Sequence, residues 1–149
     1  MAWCWASATS CVRRVDPVKL AKGPFTVKRA AEAVHDRMTG LLGRHTLDKI
    51  YSGDLAGVAH GEMLSAGGTV PGSAGYVAIE RVDGELDGHR GTFYLQHTGV
   101  MNRGEGSLTV QVIPDSGTGE LAGLTGEMKI IIAPGGAHSY EFSYEIVAR

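Results

Sequence analysis

Glu80 and His97 are the two residues of this chain whose types and spacing point most directly to proton transfer. A carboxylate beside an imidazole in an apolar cavity can pass a proton in either direction. Burial raises a carboxyl pKa and a neighbouring imidazolium lowers it, so the surroundings decide which group carries the proton. A turn is what brings the two together. Asp87-Gly88 is a strong two-residue hairpin signal and sets Leu86 opposite His89. Counting back along both strands, Val82 faces Phe93, Glu80 faces Leu95 and Ala78 faces His97. Arg81 lies opposite Tyr94 on the other face, a pairing that reads as surface packing. Phe93 and Leu95 belong inside, so strict alternation turns Glu80 and His97 inward with them. As diagonal neighbours their Cβ atoms stand roughly 5–8 Å apart, within side-chain reach. The competing readings are a buried Glu–His hydrogen bond that satisfies both groups, or a bond from either group to a backbone amide at a bulge. Structural networks also perturb pKa values, so the structural reading carries the greater weight.

Other candidates serve a ligand rather than a reaction. Tyr76, Phe93, Leu95, Phe142 and Tyr144 fall at inward positions and supply apolar and phenolic contacts to any molecule held there. Tyrosines near a barrel mouth more often simply pack. His60 and Glu62 share one strand face. If Ala59, Gly61 and Met63 take the inner face, both are solvent-facing. His60, Glu62 and His97 imitate a metal site, but no recognised zinc spacing is present, and no metal is expected. Ser73 and Ser116 lie in turns outside any G-x-S-x-G elbow. GSAG and SGTG open no helix before Lys-Ser/Thr, so neither is a phosphate loop, and no cofactor is expected.

The chain has 149 residues, the size of one domain with a real core. Its 22 glycines, all from Gly23 onward and without a collagen-like period, suit an all-β fold rich in turns and bends. The net charge of -2 is split: Arg13, Arg14, Lys19 and Lys22 against Asp16 give residues 1–22 a charge of +3, leaving -5 on the rest. An acidic body without a basic stripe argues against nucleic acid. No apolar run reaches transmembrane length, and the start lacks the basic n-region of a secretion signal, so no membrane association and a cytoplasmic location are expected. Cys4 and Cys11, the two cysteines, and Trp3 and Trp5, the two tryptophans, all lie near the start. Residues 1–21 read as a flexible extension and residues 22–149 as a single domain.

The elements that must position these side chains are strands. Phe25 and Val27 mark a first one. Ala30, Ala33, Val34, Arg37, Met38, Leu41 and Leu42 then fall at helical spacing and predict a short helix or helical turn near residues 30–42. Strands follow over His45–Ser52, Gly57–Ser65, Tyr76–Leu86 and His89–Thr98, with a sixth ending at Ile113. The run SGTGELAGLTG (116–126) is read as part of a seventh strand that ends at Ile132, its glycines allowing tight coiling. The last strand carries Tyr140, Phe142, Tyr144 and Ile146 in alternation with polar residues. Eight sequential strands joined by short turns predict a closed eight-stranded antiparallel meander barrel, whose interior takes side chains or one small ligand.

The segments DKIYSGDL (48–55), HGEMLSAG (60–67), GSAGYVAIERVDGELDG (72–88), GTFYLQHTG (91–99), VIPDSGTGELAGLTG (112–126) and HSYEFSYEI (138–146) resemble an uncharacterised bacterial family, domain of unknown function 3224. The resemblance covers about residues 22–147. It implies a closed barrel similar to that of allene oxide cyclase, and it brings no catalytic residues with it. Two functions follow as expectations. One is a barrel that binds a small apolar or amphipathic molecule at Glu80 and His97, with a cofactor-free isomerase or cyclase as its catalytic version. The other is a barrel filled by its own side chains, acting as a homo-oligomer or interaction module.

Overall fold

A computed structural model describes residues 17–147. Eight strands form one closed antiparallel barrel in sequence order: β1 (Lys19–Glu32), β2 (Gly43–Tyr51), β3 (Leu55–Gly67), β4 (Ala74–Leu86), β5 (His89–Asn102), β6 (Glu105–Val112), β7 (Leu124–Ile132) and β8 (His138–Ile146). Closure comes from β1, which pairs with β2 through its second half and with β8 through its first. β1 starts at Lys19, so Lys19, Leu20 and Ala21 belong to the barrel rather than to an extension reaching residue 21. Residues 1–16, with both cysteines and both tryptophans, lie outside the described residues.

The hairpin register follows the turn chemistry. Asp87 (φ 47°) and Gly88 (φ 85°) make a two-residue connection with both residues left-handed, the twist that matches flanking strands. Leu86 accordingly pairs with His89, Val82 with Phe93, Glu80 with Leu95 and Ala78 with His97, as the alternation predicts. Arg103 and Gly104 repeat the same turn between β5 and β6.

Two local expectations are corrected. No helix spans residues 30–42: β1 continues to Glu32, and only Asp36–Met38 form a single 3-10 turn. None of those three residues is buried. Val34, Met38 and Leu42 are only half-buried against the outer face of the barrel, too little burial to sustain a helix. Nor is SGTGELAGLTG a strand throughout, since β7 begins only at Leu124. Its first half is a loop with a 3-10 turn at Gly119–Leu121. β6 pairs with β5 only as far as Val112 opposite Leu95. The rest of the β5 edge is taken by this loop, whose Ser116, Thr118 and Glu120 side chains accept the N–H groups of Tyr94, Thr92 and Arg90 at 2.8–3.1 Å. A Cβ at Gly91 would meet the Thr118 carbonyl oxygen at 2.0 Å, so glycine there is what lets the loop lie on the strand.

The loop's Leu121 is fully buried and helps to stopper this end of the barrel. Leu55, Leu86, Leu124, Phe93, Phe142 and Tyr144 pack into the same cluster. Phe93 and Phe142 stack with centroids 6.0 Å apart. The Tyr140 hydroxyl accepts from the Leu55 amide and donates to the Ser52 carbonyl, both at 2.8 Å. Tyr144 donates to the Asp87 carboxylate at the hairpin tip. One half of the barrel is thus solid. The other half is not.

Candidate functional site

At the boundary between the two halves sits a buried polar cluster contributed by three strands. Glu80 from β4, His97 from β5 and Lys49 from β2 are 1%, 3% and 5% exposed. The Lys49 ammonium lies 2.6 Å from Glu80 Oε2. The Tyr51 hydroxyl donates to Glu80 Oε1 at 2.6 Å. Lys49 Nζ is also 3.4 Å from the Tyr51 oxygen and 5.3 Å from the centre of the Phe25 ring, in cation–π range. His97 Nε2 stands 3.6 Å from Glu80 Oε1, beyond hydrogen-bond distance, and this buried nitrogen has no hydrogen-bond partner among the described residues.

A missing side chain makes the cluster possible. Between β2 and β4 runs β3, and Gly61 is the residue paired with Glu80. A Cβ at Gly61 would meet Glu80 Cβ at 2.7 Å and the Ile79 carbonyl oxygen at 2.5 Å. With only hydrogen there, the Glu80 side chain reaches across β3 to the two β2 residues.

The electrostatics assign the proton. Burial by itself would raise the Glu80 carboxyl. The His97 imidazole and the Lys49 ammonium outweigh it and hold the group down to about 2. Of the two, the ammonium in direct contact at 2.6 Å is the stronger anchor. Burial first, and then the Glu80 charge, push the Tyr51 phenol well above its ordinary range, so it remains a donor. Glu80 is therefore a fixed carboxylate rather than a group that loads and unloads protons near neutrality. His97 is the member of the cluster with a nitrogen left to accept or donate a bond.

His97 and Lys49 face a cavity of about 750 Å³ that occupies the open half of the barrel. Phe25, Leu47, Met63 and Ile130 supply apolar wall, and Tyr76 lies across Gly99 on one side. Val27, Leu108 and Ile132 also line the cavity and are 36%, 43% and 64% exposed because they form its mouth. Arg29, His45 and His138 share that mouth.

The structure brings Glu80 and His97 together, as the hairpin register requires. Of the residues expected to contact a ligand, Tyr76 lines the cavity. Phe93, Leu95, Phe142 and Tyr144 do not: they are buried in the packed half. His60 and Glu62 are exposed and engaged elsewhere, His60 with Asp48 at 2.7 Å and Glu62 with Arg44 through two bonds. Among the described residues no cluster of three or more His, Cys, Asp or Glu side chains is arranged to hold a metal ion. Lys49 and Tyr51 were not singled out from sequence. The available signal was their alternation with Leu47, which places a lysine between two apolar inward residues. A second hollow, of about 500 Å³, lies on the outer face between Val34, Met38 and Leu42 and the strand residues Leu64, Val77 and Ile79.

These features define a class: a small closed antiparallel barrel with one solid end, one open cavity and a buried ion pair between them. The chain belongs to the family described as protein of unknown function DUF3224, whose sequence model matches residues 21–144. It is similar to a crystal structure of a DUF3224 protein of unknown function from Shewanella oneidensis MR-1. The two share 46% identity with a TM-score of 0.83, over 89% of this chain and 100% of that one. No curated protein matches. Among the described residues no helix is long and apolar enough to cross a membrane.

Proposed function

We propose that the barrel binds a small amphipathic molecule in its open half, with His97 and Lys49 as polar contacts at the inner end of the cavity. The observation that carries this reading is the 750 Å³ cavity with apolar walls, lined also by the buried imidazole of His97, whose Nε2 makes no hydrogen bond among the described residues. Binding pockets typically enclose roughly 300–1,000 Å³ and combine apolar walls with a few placed polar groups. A buried nitrogen left unpaired costs about 1–3 kcal/mol, which a ligand acceptor or donor recovers. Glu80 keeps the Lys49 side chain extended and the inner end of the cavity shaped. In a catalytic version, a cofactor-free isomerisation or cyclisation, the walls select one conformer of a flexible substrate and His97 carries the proton.

The test is titration with N-phenylnaphthylamine, an uncharged probe that brightens in apolar sites. Saturable binding at one site is expected. Val27→Trp, which places a large ring in the exposed mouth, should weaken that binding by about tenfold or more while leaving the unfolding transition in place. Binding that does not saturate, or that is indifferent to Val27→Trp, contradicts the reading.

A further inference from the structure

The nitrogen bases of the cavity are one-sided. Arg29, His45, Lys49, His97 and His138 all line it, and not one Asp or Glu does. The chain as a whole has 16 acidic against 14 basic residues, so composition does not produce this segregation. The charges also differ in how they are matched. Lys49 is neutralised from behind by Glu80 at 2.6 Å. Arg29 has no carboxylate within 4 Å among the described residues, although its strand alternates it inward with Phe25 and Val27.

We propose that the cavity selects an amphipathic anion: a carboxylate held by Arg29 at the mouth, an apolar body along the walls, and a further polar group at the inner end for His97 and Lys49. This rests on the cavity-binding reading above. Guanidinium is a planar fork that matches a carboxylate through two parallel hydrogen bonds, and the bonds strengthen where apolar walls lower the local dielectric. Val27 and Leu108 flank the mouth, and Phe25, Leu47 and Met63 continue the apolar wall inward, which orients the body toward His97. A cationic ligand would meet only bases. An uncharged ligand gains no charge-assisted bond from Arg29, which is exposed at the mouth.

The experiment compares decanoate, decanol and decyltrimethylammonium as competitors of N-phenylnaphthylamine, at low salt and mildly alkaline pH, on wild type and Arg29→Gln. Decanoate should bind about tenfold tighter than decanol, as a charge-assisted pair implies, and the ammonium compound most weakly. Arg29→Gln should bring decanoate to the level of decanol. Decanol binding as tightly as decanoate overturns anion selection while cavity binding stands. So does an unchanged decanoate affinity in Arg29→Gln. If the uncharged probe does not bind either, the cavity-binding reading falls and this inference falls with it.

Discussion

Lys49 and Glu80 form an ion pair that neither partner can leave cheaply. Removing one partner of a buried pair strands the other charge and costs about 3–5 kcal/mol, whereas removing both is often far milder. Lys49→Met is therefore expected to destabilise the barrel by about that amount, and Lys49→Met/Glu80→Gln should recover most of the loss. Urea unfolding of the single and double variants measures this; losses that simply add would contradict it. The pair also sets an acid limb. The folded Glu80 carboxyl lies at about 2 against an ordinary 4.5, so its contribution is complete above 4.5 and is lost as pH falls toward 2. By linkage that contribution is about 3 kcal/mol. Wild type should therefore lose stability relative to the double variant across that window. A difference constant with pH would refute the assignment. At this scale the sequence placed Glu80 beside His97 because a two-residue turn dictates its register without ambiguity. Lys49 went unnoticed because no such turn ties β2 to β3, and a lysine in a strand ordinarily faces water.

At the scale of elements, the strands are legible wherever alternation and a turn agree, as in β4, β5 and β8. Residues 30–42 depart from their helical spacing because Ala30 continues β1 and Val34, Met38 and Leu42 are only half-buried against the outer face. Residues 116–123 misled because the glycines suggested a coiled strand, whereas they admit a loop that completes the β5 edge with its side chains. Whether an edge is capped by a strand or a loop depends on tertiary pairing, which local pattern does not encode. The β3–β4 contact makes a sharper claim. Gly61→Ala places a carbon against Glu80 and the Ile79 carbonyl, and such overpacking costs about 1–3 kcal/mol. Gly106→Ala is the control: a Cβ there meets nothing within 4 Å, and the change should stay within about 0.5 kcal/mol. Thermal and urea unfolding of the two variants decide it, and equal effects would sink the argument.

Taken as a whole molecule, the barrel is divided rather than hollow or full. Aromatic rings and Leu121 fill one half, while smaller residues at the other end, Gly99, Ser65 and Ala74 among them, leave the cavity. The count of strands and their closure were legible from eight alternating segments. The division was not, because it depends on how side-chain volumes from eight strands sum at each level. Phe93, Leu95, Phe142 and Tyr144 are inward in the predicted way but sit in the filled half, beyond a ligand's reach. The most direct test of the central claim is a crystal structure of the protein grown with decanoate. The account predicts continuous ligand density in the open half, against Phe25 and Met63, with the carboxylate at Arg29 and the chain pointing toward His97. An interior free of ligand at saturating decanoate, or density on the outer surface alone, would contradict it.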